Sequence, residues 1–242
     1  MIDILLALVA AVLAITLHEA AHGYAALAMG DDTAKRAGRL SLNPLVHVDR
    51  MGTVVIPLIL AGVQLLSIGR VAFMFGWAKP VPVAAWRFAN PRRAMMIVAA
   101  AGPAMNFFLA WLMLLALHEV AYLGKDWGWW AIQFALYFVL TNVALGLFNL
   151  LPIPPLDGGR IAVGLLPEGP ARVLAGLERG GILIVLVAVF ILPALLRDVF
   201  GVVFDPMQAL IREVGKPLMR ALVVLAGSPD LGVFIVEELF GD

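Results

Sequence analysis

Residues 4–29, ILLALVAAVLAITLHEAAHGYAALAM, form a long apolar stretch that carries the ionisable residues His18, Glu19 and His22. Two histidines four apart lie on one face of a helix, so both imidazoles can bind one metal ion. A carboxylate directly after the first histidine can take a proton from water that the metal activates, which is the chemistry of an HExxH motif. The alternative is a pair of histidines that hydrogen-bond to neighbouring backbone in a helix bundle.

The composition indicates an integral membrane protein. Apolar residues make up 62% of the chain and charged residues 14%, with a mean hydropathy of +0.97. Soluble domains are about half apolar and about a quarter charged. The formal net charge of zero gives no basic surface for nucleic acid. Because the chain has no cysteine, a bound metal must use His, Asp or Glu.

The first basic residues follow the first apolar stretch. No Lys or Arg precedes Lys35, and Arg36, Arg39 and Arg50 come soon after it. The positive-inside rule therefore places this loop in the cytoplasm and the N-terminus outside. At 1.5 Å per residue, His18 lies about 21 Å beyond Ile4, so the metal would be buried nearer the cytoplasmic side of a ~30 Å core.

Residues 51–90 are predicted to form one wall of the cavity around this site. The apolar run 51–68 is barely long enough to span a bilayer, and it either re-enters or crosses and returns as an extended segment. Residues 75–83, FGWAKPVPV, have the prolines and alternating valines of an edge strand. Such an edge could pair with an unfolded substrate strand, and the alternative is a plain connecting loop. The substrate-binding residues predicted here are Gly76, Trp77, Ala78, Lys79, Pro80 and Val81.

Further membrane spans are predicted at about 94–122, 130–151 and 180–196, and 205–226 is predicted to be an amphipathic interfacial helix. A sixth span over this last segment stays open. Asn106, in the apolar face of the first of these spans, is predicted to act in helix packing.

Residues 149–160, NLLPIPPLDGGR, hold the third candidate ligand. Three prolines end a helix at membrane depth, and Asp157 follows them. A catalytic zinc takes three protein ligands, so Asp157 is the predicted third ligand beside His18 and His22. Asn149 could donate a hydrogen bond to the oxyanion that forms during peptide hydrolysis. Two alternatives stay open: Asp157 pairs with Arg160, or His47 is the third ligand.

The motifs HEAAH, AGPAMN, FGWAKPVPV and NLLPIPPLDGGR together resemble the site-2 protease family of intramembrane zinc metalloproteases, in its short prokaryotic form. The resemblance covers about residues 4–165. It implies that His18, His22 and Asp157 bind one zinc ion per chain, that Glu19 is the general base and that Asn149 supports catalysis. It also implies substrates that are transmembrane proteins and an active site towards the cytoplasmic face of the prokaryotic cytoplasmic membrane.

The sequence thus predicts an all-α polytopic membrane protein with five to six membrane segments and a small re-entrant or β element near the cytoplasmic face. Residues 1–165 are predicted to form the catalytic core, and residues 166–242 a C-terminal span and amphipathic helix. The predicted function is cleavage of peptide bonds within or near transmembrane segments, in a lipid membrane and without nucleic acid. The alternatives are a metal-binding transporter and a proteolytically silent binding module. The sequence leaves the oligomeric state open.

Overall fold

The structure is a computed structural model that describes residues 2–69, 76–122 and 128–227. Shorter 3₁₀ and π turns join some of its helices, and the described residues contain no strand. The α-helices in chain order are α1 (Ile2–Ala28), α2 (Thr33–Arg36), α3 (Ile56–Ile68), α4 (Pro91–Tyr122), α5 (Trp129–Asn149), α6 (Asp157–Leu165), α7 (Glu168–Gly176), α8 (Gly181–Leu186), α9 (Leu192–Phe200), α10 (Pro206–Leu210) and α11 (Lys216–Leu225).

Four helical stretches in the described part of the chain are long and apolar enough to cross a membrane. They are Ile2–Ala28, Pro91–Glu119, Trp129–Asn149 and Leu183–Phe200, and a shorter apolar helix covers Arg50–Leu66. The chain is therefore an integral membrane protein built from helices. A fifth or sixth membrane segment, and a re-entrant path for 51–68, stay predictions.

Helices α1, α4, α5 and α6 pack together and hold the candidate site between them. The buried face of α1 is made largely of alanines, which let neighbouring helices approach closely, as is typical of membrane helix packing. Helix α4 contacts the other three, so it is the central helix of this group. The ligands proposed from the sequence lie on α1 and α6, which α4 brings together.

The C-terminal helices pack against the same bundle. Met219, Leu222 and Val223 of α11 are buried against Val139 and Val143 of α5. The face of α11 that carries these three residues is therefore covered by protein. Whether this segment crosses the membrane, and whether residues 166–242 form a separate unit, stay predictions.

Residues 76–84 form neither helix nor strand, so the edge strand predicted over 75–83 is wrong for residues 76–83; Phe75 lies outside the described residues. In place of a strand partner, the segment bonds to single groups on the surrounding loops. The N–H of Trp77 donates to the carbonyl of Gly52 (3.1 Å), and the N–H of Lys79 donates to that of His47 (2.8 Å).

Side chains complete these attachments. The Thr53 hydroxyl donates to the carbonyl of Trp77 (2.9 Å), and the buried Arg39 guanidinium donates to the carbonyl of Lys79 (2.5 Å). The indole of Trp77 lies where a Cβ on Gly52 would be, so only glycine permits this approach. Without a ladder, the path of the segment depends on these separate contacts.

Candidate metal centre

Three potential ligand atoms meet between α1 and α6. His18 Nε2 lies 3.0 Å from His22 Nε2 and 3.1 Å from Asp157 Oδ2, and His22 Nε2 lies 3.4 Å from the same carboxylate oxygen. His18 and Asp157 are buried and His22 is nearly so. Within the described residues these three form the group able to hold a metal ion.

A chain of hydrogen bonds fixes which nitrogen of His18 carries the proton. The Asn142 amide donates to the carbonyl of Phe138 (2.8 Å), so its oxygen accepts from Asn106 Nδ2 (2.9 Å). The oxygen of Asn106 then faces His18 Nδ1 at 2.5 Å. A carbonyl can only accept, so Nδ1 must donate and Nε2 keeps its lone pair.

A backbone carbonyl does the same for His22. Its Nδ1 lies 2.7 Å from the carbonyl oxygen of Val98 in α4, which likewise can only accept. The α4 helix comes this close because residue 102 is glycine: a Cβ there would lie 2.5–2.6 Å from ring atoms of both His18 and His22. Pro103 follows within the helix and is buried.

Both imidazoles therefore present lone pairs to a carboxylate oxygen that can only accept when ionised. Asp157 Oδ2 is buried and has no hydrogen bond of acceptable geometry. Three acceptors at this separation repel one another unless a cation lies between them. Tetrahedral zinc ligands at 2.0–2.2 Å from the metal are about 3.3–3.6 Å apart, close to the separations found here. The donor set fits zinc.

The proline turn 150–156 places Asp157 in this group. Asp157 is the first residue of α6, and the next two residues are Gly158 and Gly159. A Cβ on Gly158 would overlap the carbonyl of Leu150, and one on Gly159 would overlap the backbone at Pro154. The two glycines thus let the turn fold back onto the start of α6. The alternative pairing of Asp157 with Arg160 is wrong, because Arg160 pairs with Glu178 (2.8 Å).

Glu19 lies beside the metal group, on the neighbouring face of α1. Its Oε2 accepts a hydrogen bond from the backbone N–H of Val81 (3.0 Å), and the side chain is half-buried. Among the described residues, no hydrogen bond to its other oxygen, Oε1, is found. Of the predicted substrate-binding residues, Val81 is the one that meets the site directly; Trp77 and Lys79 are attached to neighbouring loops.

Two candidates from the sequence lie elsewhere. Asn149 is the last residue of α5, and its amide donates to the carbonyl of Leu145 one turn earlier (3.0 Å). His47 is buried in the 3₁₀ turn Pro44–His47, where its Nε2 donates to the carbonyl of Ser41 (2.9 Å). It does not belong to the metal group.

Sequence reasoning missed the residues that orient the two histidines. Asn106 was expected only to pack, yet it is the hydrogen-bond partner of His18, and Asn142 holds it in turn. Their signal was an amide in an otherwise apolar helix, which must find a partner. The carbonyl of Val98 leaves no signal in the sequence, because every residue has one.

The fold and site define an integral membrane protein with a buried metal-binding group of two histidines and an aspartate. The model of peptidase family M50 matches residues 118–192, which include Asp157. The putative zinc metalloprotease YwhC of Bacillus subtilis is 38% identical over 192 residues, covering 75% of this chain and 78% of YwhC. The putative zinc metalloprotease Rip2 of Mycolicibacterium smegmatis is 34% identical over 194 residues, covering 79% and 69%. No solved structure matches the chain. The chain belongs to peptidase family M50, the site-2 proteases.

Proposed function

We propose that this protein is an intramembrane zinc metalloprotease that hydrolyses peptide bonds within or near the transmembrane segments of membrane proteins. The observation that carries the proposal is the meeting of His18 Nε2, His22 Nε2 and Asp157 Oδ2, with every other ring nitrogen already bonded. Its family and its relatives support the same function. Nothing favours the transporter or the silent binding module.

His18, His22 and Asp157 would hold one zinc ion per chain. When bound, that ion supplies the Lewis-acid chemistry of peptide hydrolysis. Glu19 takes a proton from the attacking water through Oε1 and passes it to the leaving amine, while Oε2 stays on the Val81 N–H. The HExxH arrangement thus divides its roles: two histidines bind, and the carboxylate between them moves a proton.

The hydrogen bonding of residues 76–82 supports a substrate-binding role for the segment. The N–H groups of Trp77, Lys79 and Val81 all donate towards the body of the protein. Successive residues of an extended chain direct their backbone groups to opposite sides, so Ala78, Pro80 and Pro82 face away. Prolines have no N–H, so this free side offers mainly carbonyl acceptors. An unwound substrate would donate its own N–H groups to them.

Asn149 is proposed to donate to the developing oxyanion. In this structure its amide is bonded to Leu145, so the role requires the side chain to rotate away from its own helix. Asn149→Ala should lower kcat about 10²- to 10³-fold at unchanged zinc content. A rise in KM of that size with kcat unchanged would show that Asn149 does not stabilise the oxyanion.

The proposed location is the prokaryotic cytoplasmic membrane, with the N-terminus outside and the active site towards the cytoplasm. Because the chain has no cysteine, Asp3→Cys and Lys35→Cys give single-thiol variants. In intact cells a membrane-impermeant maleimide should label the first and not the second. The opposite labelling would reverse the orientation.

The test of the function measures zinc content and cleavage of a single-pass transmembrane test protein by the purified full chain in detergent. Wild type should hold about one zinc, and His22→Ala and Asp157→Ala should lose both zinc and cleavage. Glu19→Gln should keep zinc and lose cleavage by about 10²- to 10⁴-fold.

His47→Ala is the matched control, since it removes a buried histidine outside the metal group. It should keep zinc. If His47→Ala lost zinc and Asp157→Ala kept it, the third ligand would be His47. Full cleavage by Glu19→Gln would show that the proposed mechanism is wrong.

A further inference from the structure

Asp31 is a fully buried carboxylate just beyond the end of α1. Its Oδ2 accepts from the backbone N–H of Ala84 at 2.6 Å. Its Oδ1 accepts from the N–H (3.0 Å) and hydroxyl (2.5 Å) of Thr33 and lies 3.4 Å from an Arg87 nitrogen. One side chain therefore ties the end of α1 to the end of the segment 76–84.

The same segment is fixed to α1 a second time, three residues earlier. The N–H of Val81 donates to Glu19, and its side chain lies against Gly23, where a Cβ would be 3.1 Å from Val81 Cγ1. Glu19 and Gly23 are four residues apart and share one face of the helix. Residues 81–84 are thus held at one end by Glu19 of α1 and at the other by Asp31, three residues beyond the end of that helix.

The electrostatics favour an ionised Asp31. Burial would raise the pKa of Asp31, but the hydrogen bonds from Thr33 and Ala84 and the charge of Arg87 outweigh it and hold the pKa below its usual value. An ionised carboxylate offers two acceptor oxygens, and here each has its own donors. An asparagine could supply only one of them.

We infer that Asp31 is a positioning residue for the catalytic base: by fixing Ala84 it sets the register of residues 81–84, so that the Val81 N–H meets Glu19. The inference rests on the proposed function. The chain from residue 81 to residue 84 spans about 10 Å when extended, so a shift at Ala84 passes directly to Val81. The hydrogen bond from Val81 to Glu19, at 3.0 Å, weakens steeply when a change of register turns the N–H away and its N–H···O angle falls below about 120°.

The test is a double-mutant cycle in the purified, zinc-loaded full chain, with kcat and KM measured on the transmembrane test protein. Asp31→Asn leaves an NH₂ group facing either Ala84 or Thr33, and kcat should fall about 10-fold with KM within threefold. Val81→Pro removes the N–H that Glu19 accepts, at a site already flanked by Pro80 and Pro82. The double variant should be no slower than Val81→Pro alone.

Asp32→Asn is the matched control. It removes the same charge one residue along, and Asp32 bonds to Arg36 and Arg87 but not to residues 81–84. It should keep wild-type kcat. If Val81→Pro fails to fold, an ester at position 81, made by incorporating the α-hydroxy analogue of valine, removes the N–H and keeps the side chain.

Multiplicative losses in the cycle would overturn the inference, because they would mean that Asp31 acts by another route. A rise in KM with kcat retained, or loss of zinc in Asp31→Asn, would also overturn it. A readout independent of cleavage is amide hydrogen exchange at Val81, which should be faster in Asp31→Asn and unchanged in Asp32→Asn. Absence of zinc-dependent cleavage in wild type would instead defeat the proposed function, and the exchange result would still decide the link between Asp31 and Val81.

Discussion

The candidate metal group and residues 76–84 hold their functional atoms in opposite ways. His18 and His22 lie on a long helix whose position is fixed by close packing against α4. The segment 76–84 has no regular structure, and a few single hydrogen bonds fix its path. Glu19 belongs to both regions, since its backbone lies on α1 and its carboxylate is bonded to Val81.

We therefore expect that binding of the metal and placement of Glu19 can be disturbed separately. Packing changes between α1 and α4 should remove zinc and therefore everything else. Changes at the contacts of residues 76–84 should leave zinc in place and slow the reaction.

The largest effect is expected for Gly102→Ala. A methyl group there would lie 2.5–2.6 Å from atoms of both imidazoles, inside the space that the metal group occupies. Zinc content and cleavage should both fall to background. Gly62→Ala in α3, where nothing lies within 4 Å of the added Cβ, should keep both. Retention of zinc by Gly102→Ala would mean that the packing is looser than the structure has it.

A smaller loss is expected for Asn106→Ala, which removes the acceptor for His18 Nδ1. Loss of such an orienting partner should weaken zinc affinity about 10- to 100-fold. Competition with a zinc chelator measures it. Asn142→Ala, one hydrogen bond further away, should have a smaller effect in the same direction. Equal effects of the two variants would contradict the order of the hydrogen bonds from His18 to Asn106 to Asn142.

Gly23→Ala tests the other region. The new Cβ would meet the flexible end of Leu40 and would lie 3.1 Å from Val81, so Val81 must move by a few tenths of an ångström. The value of kcat should fall about threefold to tenfold, since a small misplacement near the chemistry is costly, with zinc unchanged. Gly176→Ala, with nothing within 4 Å, is the control. Loss of zinc from Gly23→Ala would show that the two regions cannot be disturbed separately.

The lowered pKa of Asp31 predicts that the stability of the fold depends on pH. Because its folded-state pKa is lowered, its stabilisation is fully present above the unfolded pKa of about 3.9 and is lost as pH falls through the folded value. At pH 7, Asp31→Asn should lower Tm by about 2–5 °C. The gap between the two Tm values should narrow as the pH falls below about 4. A gap independent of pH would contradict an ionised Asp31.

The smallest effect is expected at the exposed pair Arg197–Asp198. Exposed ion pairs of this kind contribute little to stability. Asp198→Asn should leave Tm, zinc content and kcat unchanged within error. A clear change in any of these would give the C-terminal region a role that its contacts do not suggest.

Much of the architecture could be predicted from the sequence, because the length and composition of each apolar run predict its helix. Helices α1, α4 and α5 begin and end within a few residues of the predicted spans. The prediction of an edge strand over 75–83 was wrong for residues 76–83. A strand forms only beside a pairing partner, and the segment's own sequence does not show whether one is present. The pairing of Arg160 with Glu178 could not be predicted either, because it depends on how the chain folds back after α6.

The sequence by itself determined the membrane class, the His–Glu–x–x–His spacing on one helical face and the presence of a carboxylate after the proline turn. These are local properties, set by helical periodicity and side-chain chemistry within a few residues. Only the tertiary structure decided that Asn106 and the Val98 carbonyl orient the two histidines, and that Glu19 bonds to Val81 and Asp31 to Ala84. Those contacts join residues more than fifty positions apart, and their partners are often backbone groups that no residue type reveals.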